Sequence, residues 1–171
     1  VSTKTDYSAE EWKVVLKAPL MAGLAVVAAN PSGPLGVLRE MFAVGKLVAE
    51  TKAQAQGPSG SSNELLRALA AELASDEAQG QIDAAELRGL APERLRAHAL
   101  EGCRALATVL DRKTSREEAE GVKRWLVSLA QRTAEAAKEG GFLGFGGTSV
   151  SETERAAVHE VARALGAPAP V

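Results

Sequence analysis

The chain has 171 residues and a mass of 17.8 kDa, enough for one domain that buries roughly 70% of its unfolded surface and short for two. Its 33 alanines and 20 leucines stand against one isoleucine and six aromatic residues, a balance that favours helix because, valine apart, the best strand formers are almost missing. Charged residues at 25% and apolar residues at 46% exclude a chain disordered throughout, one cysteine excludes an intramolecular disulfide, and a net charge of −2 lacks the basic surplus of a nucleic-acid binder.

Five sites carry an N-cap oxygen followed three residues on by glutamate: Ser8/Glu11, Ser61/Glu64, Asp83/Glu86, Ser115/Glu118 and Ser151/Glu154. Each can satisfy two backbone donors that a helix start leaves without intrahelical partners, and apolar residues at helical spacing follow each one. Helix one is expected over about Ala9 to Ala29, with Pro19 kinking or breaking it near the middle. Beyond Lys17 it is apolar on all sides, the pattern of a centrally buried helix. Asn30 to Pro34 reads as a turn, and Leu35 to about Gln54 as a second apolar helix, so residues 9–55 form an apolar helical hairpin. Residues 56–62 (Gln-Gly-Pro-Ser-Gly-Ser-Ser) are the most linker-like stretch. Residues 63–166 read as amphipathic helices: Asn63 to Leu73, a short segment near Asp83 to Arg88, a helix opened by Pro92, one from Arg116 to Lys138 stopped by Gly140 and Gly141, and a last one from Glu152 to Leu165. Residues 167–171 read as a frayed tail. The expected architecture is therefore all-α, a single-domain helical bundle of six or seven helices around the 9–55 hairpin.

Basic residues gather between Arg88 and Arg124, but Glu93, Glu101, Asp111, Glu117, Glu118 and Glu120 interleave with them, so a solvated helix face is expected rather than a nucleic-acid surface. The first residues lack the charged-then-apolar layout of a signal peptide, and the longest uninterrupted apolar run, Ala18 to Ala29, is shorter than a bilayer span. A cytoplasmic protein is the expectation.

Ser75 to Glu86 fits part of a calcium loop, with Gly80 and Glu86 in register. Ser75, Glu77 and Gln79 fall where the first three ligands belong, however, and the leading aspartate is missing. A helix connection is the preferred reading. The glycine-rich stretch around Phe142, Gly144, Phe145 and Gly146 could cradle an anion ahead of a helix N-terminus, yet no lysine follows it and no strand precedes it. Its phenylalanines suit packing on the helices first, and anchoring a partner second. Glu40 lies in the otherwise apolar second helix; pointing inward it would need Lys13 or Lys17, and a solvent-edge position is the simpler expectation. His98 and His159 lack the Glu-x-x-His spacing of di-iron bundles, and Cys103, on an apolar seam, reads as an inert buried thiol. No metal site, no catalytic group and no cofactor is expected.

From about Asn63 onward the chain resembles the all-helical domains of the tellurite-resistance TerB group, in Ser75 to Glu86 (…Gly80-Gln-Ile-Asp-Ala-Ala-Glu86) and in Gly147 to Glu154 (Gly-Thr-Ser-Val-Ser-Glu-Thr-Glu). The Ala-Asp-Gly turns that hold metal in that group are replaced here, so metal binding does not carry over to any residue. The Ala- and Arg-rich usage suggests a bacterium with GC-rich DNA. The expected role is a non-catalytic interaction or stress-associated accessory protein that contacts a protein partner or a second copy of itself. Two alternatives stand beside it: a membrane-responsive protein that opens the 9–55 hairpin, opposed by Arg39, Glu40 and Lys46, each costly in a bilayer, and a small-molecule or anion binder that uses the 140–150 loop.

Overall fold

Serine hydroxyls, an asparagine amide and a proline ring set most of the helix starts. A computed structural model describes residues 2–29, 49, 51–53, 55, 63–75, 89–139 and 152–170. A 3-10 turn, η1 (Lys4–Asp6), leads into α1 (Ala9–Ala29). It is followed by α2 (Glu64–Leu73), α3 (Pro92–Lys113), α4 (Arg116–Glu139) and α5 (Glu152–Leu165). Residues 49, 51–53 and 55 are also helical. Among the described residues there is no strand, and the protein is all-α.

The Ser8/Glu11 box forms as the spacing requires. The Ser8 N–H donates to the Glu11 carboxylate at 2.8 Å, and the Glu11 N–H donates to the Ser8 hydroxyl at 3.2 Å. Pro92 occupies the first turn of α3, where a missing N–H costs nothing. At α2 the cap is Asn63 rather than Ser61, which with Ser62 lies outside the described residues. The Asn63 side-chain oxygen accepts the Leu66 N–H at 3.0 Å. The Asn63 N–H in turn donates to the Ala55 carbonyl at 3.1 Å, so the two ends of the 56–62 segment meet. At the end of α5, Gly166 has a φ of +64°. There the Ala167 N–H bonds the Ala162 carbonyl at 2.9 Å and the Gly166 N–H bonds the Arg163 carbonyl at 3.1 Å. This is the paired helix stop that favours glycine. Ala167, assigned to the frayed tail from the sequence, is thereby tied down and packs against the core.

α1 is the central element. It packs most extensively on α3, then on α4 and α5, and it also touches α2. It runs unbroken through Pro19, whose own side chain is buried. The break considered from sequence does not occur, because surrounding apolar contacts offset the roughly 3 kcal/mol that an interior proline costs a helix. Around α1, three apolar seams are buried, with Leu95 of α3 only partly so. The seams are Ala99, Cys103, Leu106 and Leu110 on α3 and Val122, Trp125, Leu126 and Leu129 on α4, joined by Val158, Val161 and Leu165 on α5. One contiguous apolar cluster links these residues from Tyr7 to Leu165.

α1 and α3 run antiparallel. Glu11 lies near Arg112 and Lys113 at one end, and Met21 lies against Gly102 further along. A Cβ built on Gly102 would come within 2.7 Å of Met21 Cγ and 3.1 Å of its sulfur. The glycine is what lets these two helices approach so closely, and it outweighs the weaker helix propensity of the residue.

Candidate functional site

The residues singled out in sequence for binding, Phe142, Gly144, Phe145 and Gly146, lie outside the described residues. So do Glu40 with Arg39 and Lys46, the Asp83/Glu86 cap, Ser151, and the calcium-like stretch beyond Ser75. Of the remaining candidates, His98 and His159 are exposed. Cys103 is buried, and burial pushes its thiol up to about 12, with Arg104 opposing weakly. A thiol held that high is protonated at neutral pH and is a poor nucleophile. Among the described residues no group of three or more His, Cys, Asp or Glu side chains could hold a metal ion.

The chemistry that the structure does gather lies at the corner where α3 passes into α4 through Thr114 and Ser115. Lys4 to Asp6 turn because the Thr3 N–H and hydroxyl both donate to the Asp6 carboxylate, at 2.7 and 3.0 Å. This local turn lays residues 2–7 across the corner. The Ser2 N–H then donates to Glu118 Oε1 at 3.2 Å and the Ser2 hydroxyl to Glu118 Oε2 at 3.0 Å, a pairing between residues 116 apart. The Ser115 hydroxyl donates to the same Oε2 at 3.1 Å and accepts the Glu118 N–H at 3.3 Å. Tyr7 and Thr114 share a hydroxyl–hydroxyl bond of 2.7 Å. On the other side of Glu118, the Asn63 amide donates to its backbone carbonyl at 3.0 Å, and the Asn63 side chain sits over Gly121.

Ser2, Tyr7 and Glu118 are all buried. Burial pushes the Glu118 carboxyl up, but the donors from Ser2 and Ser115 outweigh it and hold the group below the usual carboxylate range. Burial likewise pushes the Tyr7 hydroxyl up, against its bond with Thr114. Salt bridges frame this end of the bundle: Lys4 meets Glu72 of α2 at 2.8 Å, while Lys113 reaches Glu11 at 3.6 Å and the Asp6 carbonyl at 3.3 Å. A second polar joint lies further along α4, where the buried Lys123 reaches the exposed Asp111 of α3 at 2.6 Å.

Among the described residues two polar atoms stand apart. The indole N–H groups of Trp12 and Trp125 are buried with no acceptor, although the Trp12 ring contacts Tyr7 at 5.7 Å between centroids. The arrangement at the α3–α4 corner can hold segments together and can respond to the loss of one charge. The Ser2 and Ser115 hydroxyls both donate to Glu118, so this carboxylate is engaged in joining the two segments. The sequence marks Glu118 as the local partner of Ser115 and as one acid of a solvated helix face; its burial corrects the second expectation, because its carboxylate turns inward to take the Ser2 donors, and nothing in the sequence marks Ser2. No family model, no curated protein and no solved structure matches the chain.

Proposed function

We propose that this chain is a non-catalytic helical accessory protein of the bacterial cytoplasm, acting through contact with a protein partner or with a second copy of itself. The observation that carries the reading is how its buried polar side chains are used. Glu118 fastens residues 2–7 to the α3–α4 corner, Lys123 joins α4 to α3, and Thr133 bonds the carbonyl of Leu129 in its own helix. Together with the protonated Cys103 thiol, they serve cohesion, and a catalytic site would instead hold one of them poised for transfer. The resemblance to the TerB group supports a stress-associated setting.

Native mass spectrometry beside the denatured mass tests this. A clean multiple of 17.8 kDa, or a stoichiometric protein companion, is expected. A bare monomer overturns self-association and leaves a transient protein partner, whereas a small-molecule mass that vanishes on denaturation overturns the non-catalytic reading.

A second reading has one observation in its favour. Taken as a whole helix rather than as an uninterrupted apolar run, α1 is long and apolar enough to cross a bilayer, although most of it is buried inside the bundle, as a core helix would be. Co-sedimentation with anionic liposomes tests a membrane-responsive role, and absence of binding at every pH removes it.

A further inference from the structure

We propose that residues 2–7 are a strap held on the α3–α4 corner by one carboxylate, Glu118, and that neutralising this carboxylate lifts the strap while the rest of the bundle stays folded. The proposal goes beyond the accessory role above and does not depend on it.

The geometry separates the strap from the body. Internally it is self-sufficient: Thr3 and Asp6 cap η1, the Asp6 N–H bonds the Thr3 carbonyl at 3.0 Å, and the Tyr7 N–H bonds the Lys4 carbonyl at 3.2 Å. Its neighbour α1 has its own cap in Ser8 and Glu11. The joint between Tyr7, whose backbone is extended, and Ser8 can therefore bend without undoing either element. Among the described residues the strap reaches the body through polar links from Ser2 to Glu118, Tyr7 to Thr114, Lys4 to Glu72 and Lys113 to the Asp6 carbonyl, and through the Tyr7 ring, which is buried in the apolar cluster. The two links that involve solvent-facing lysines contribute little each. Glu118 alone among these partners takes two donors from the strap in a buried setting, and a hydrogen bond to a buried charge is the strongest kind in the set.

Among the described residues the titratable and charged groups around this end are Lys4, Asp6 and Tyr7 in the strap, Glu11 on α1, Glu72 on α2, Arg112 and Lys113 closing α3, and Glu118 itself on α4. Three of the carboxyls lie below their usual range. For Glu118 burial opposes and the Ser2 and Ser115 donors prevail; for Asp6 the Thr3 N–H and hydroxyl dominate; for Glu11 the Ser8 N–H dominates over burial, helped by Lys113. The sign follows. A depressed carboxyl contributes its full hold above the unfolded carboxylate range and loses it as the pH falls through the folded value. Acid therefore loosens the strap and the caps on either side of its joint, whereas Leu106 and Leu110 on α3, Leu126 and Leu129 on α4 and Val161 and Leu165 on α5 are held by apolar burial; α5 also carries one buried carboxyl of its own, Glu154.

The experiment uses the Tyr7–Trp12 ring contact. In a Trp125→Phe background Trp12 is the sole tryptophan, and acrylamide quenching of its emission reports whether Tyr7 still lies against it. Glu118→Gln at neutral pH is expected to raise quenching several-fold with the helical circular dichroism and the amide protection of residues 99–110 unchanged. Ser2→Ala, which removes one donor only, is expected to give a smaller rise. Lowering the pH on the background protein should raise quenching before any helical signal is lost. Quenching in Glu118→Gln equal to that of the background protein overturns the proposal. So does a rise that appears only together with lost protection in residues 99–110, since Glu118 would then hold the fold rather than the strap.

Discussion

The two ends of the α1–α3 pair are held by different physics. At the end where α1 begins, the burial of Tyr7, Trp12, Val15 and Leu16 is joined by polar cohesion named atom by atom: two donors from Ser2 and one from Ser115 on Glu118, a hydroxyl pair between Tyr7 and Thr114, and Lys113 beside Glu11. Further along, from Ala18 to Ala29, α1 carries no polar side chain at all, and it is held by burial and by the close approach of Met21 to Gly102. The polar kind of cohesion is directional and depends on charge state. The apolar kind is indifferent to pH and depends on shape. Stability should therefore be unevenly spread, with local opening concentrated at the polar end.

The comparison can be broken most forcefully from the apolar side. Leu106→Ala, at a fully buried position on α3, is expected to cost about 2–5 kcal/mol in urea unfolding and to lower protection throughout the bundle. A purely local effect would show that the cluster is not one cooperative core. Gly102→Ala sharpens the same point. An ordinary helix glycine gains about 1 kcal/mol on becoming alanine, but here the new methyl meets Met21 Cγ at 2.7 Å, so a net loss of about 1 kcal/mol is expected. Repeating the change in a Met21→Ala background should restore the gain, and a double-mutant cycle in unfolding free energy checks it.

On the polar side the expected effects shrink. Glu118→Gln removes the charge and one of the two acceptor oxygens, and sets an amide NH2 against one of the Ser2 or Ser115 donors. A loss of about 1 kcal/mol is expected at neutral pH, vanishing in acid where the wild-type carboxyl is itself protonated, as parallel urea titrations at the two pH values would show. Smallest of all is Arg96→Ala. The guanidinium meets Glu160 of α5 at 2.7 Å, but both side chains are about a third exposed, at 32% and 37%, and a change of less than about 1 kcal/mol in thermal unfolding is expected.

The same contrast explains what could be read from the sequence. Helix limits were legible because they rest on local patterns: Ser8 with Glu11, Pro92 at a first turn, and Leu106 and Leu110 at helical spacing on one face. The α1 limits agree with the expected Ala9 to Ala29. What stayed hidden depends on partners distant in sequence. Nothing near Glu118 announces Ser2, 116 residues away, because the Ser115 spacing already accounts for the glutamate. Gly102 carries no local turn or cap signal, and its purpose appears only once Met21 lies against it. Asn63 displaced Ser61 as the cap of α2 because its amide satisfies two sites at once, the Leu66 N–H and the Glu118 carbonyl, and only the second of those lies beyond the local sequence. Of the candidate site, the sequence revealed one residue, Glu118, in half of its role.

The bond between the Asn63 N–H and the Ala55 carbonyl has a practical corollary. With the entrance and exit of the 56–62 segment pinned together, the helices on either side do not depend on how much chain runs between them. Doubling the length of such a connection costs only about 0.6 kcal/mol in closure entropy. This makes it the natural port for an inserted epitope, a fluorescent domain or a new pair of chain ends, through which the molecule could be tracked in cells with its bundle intact.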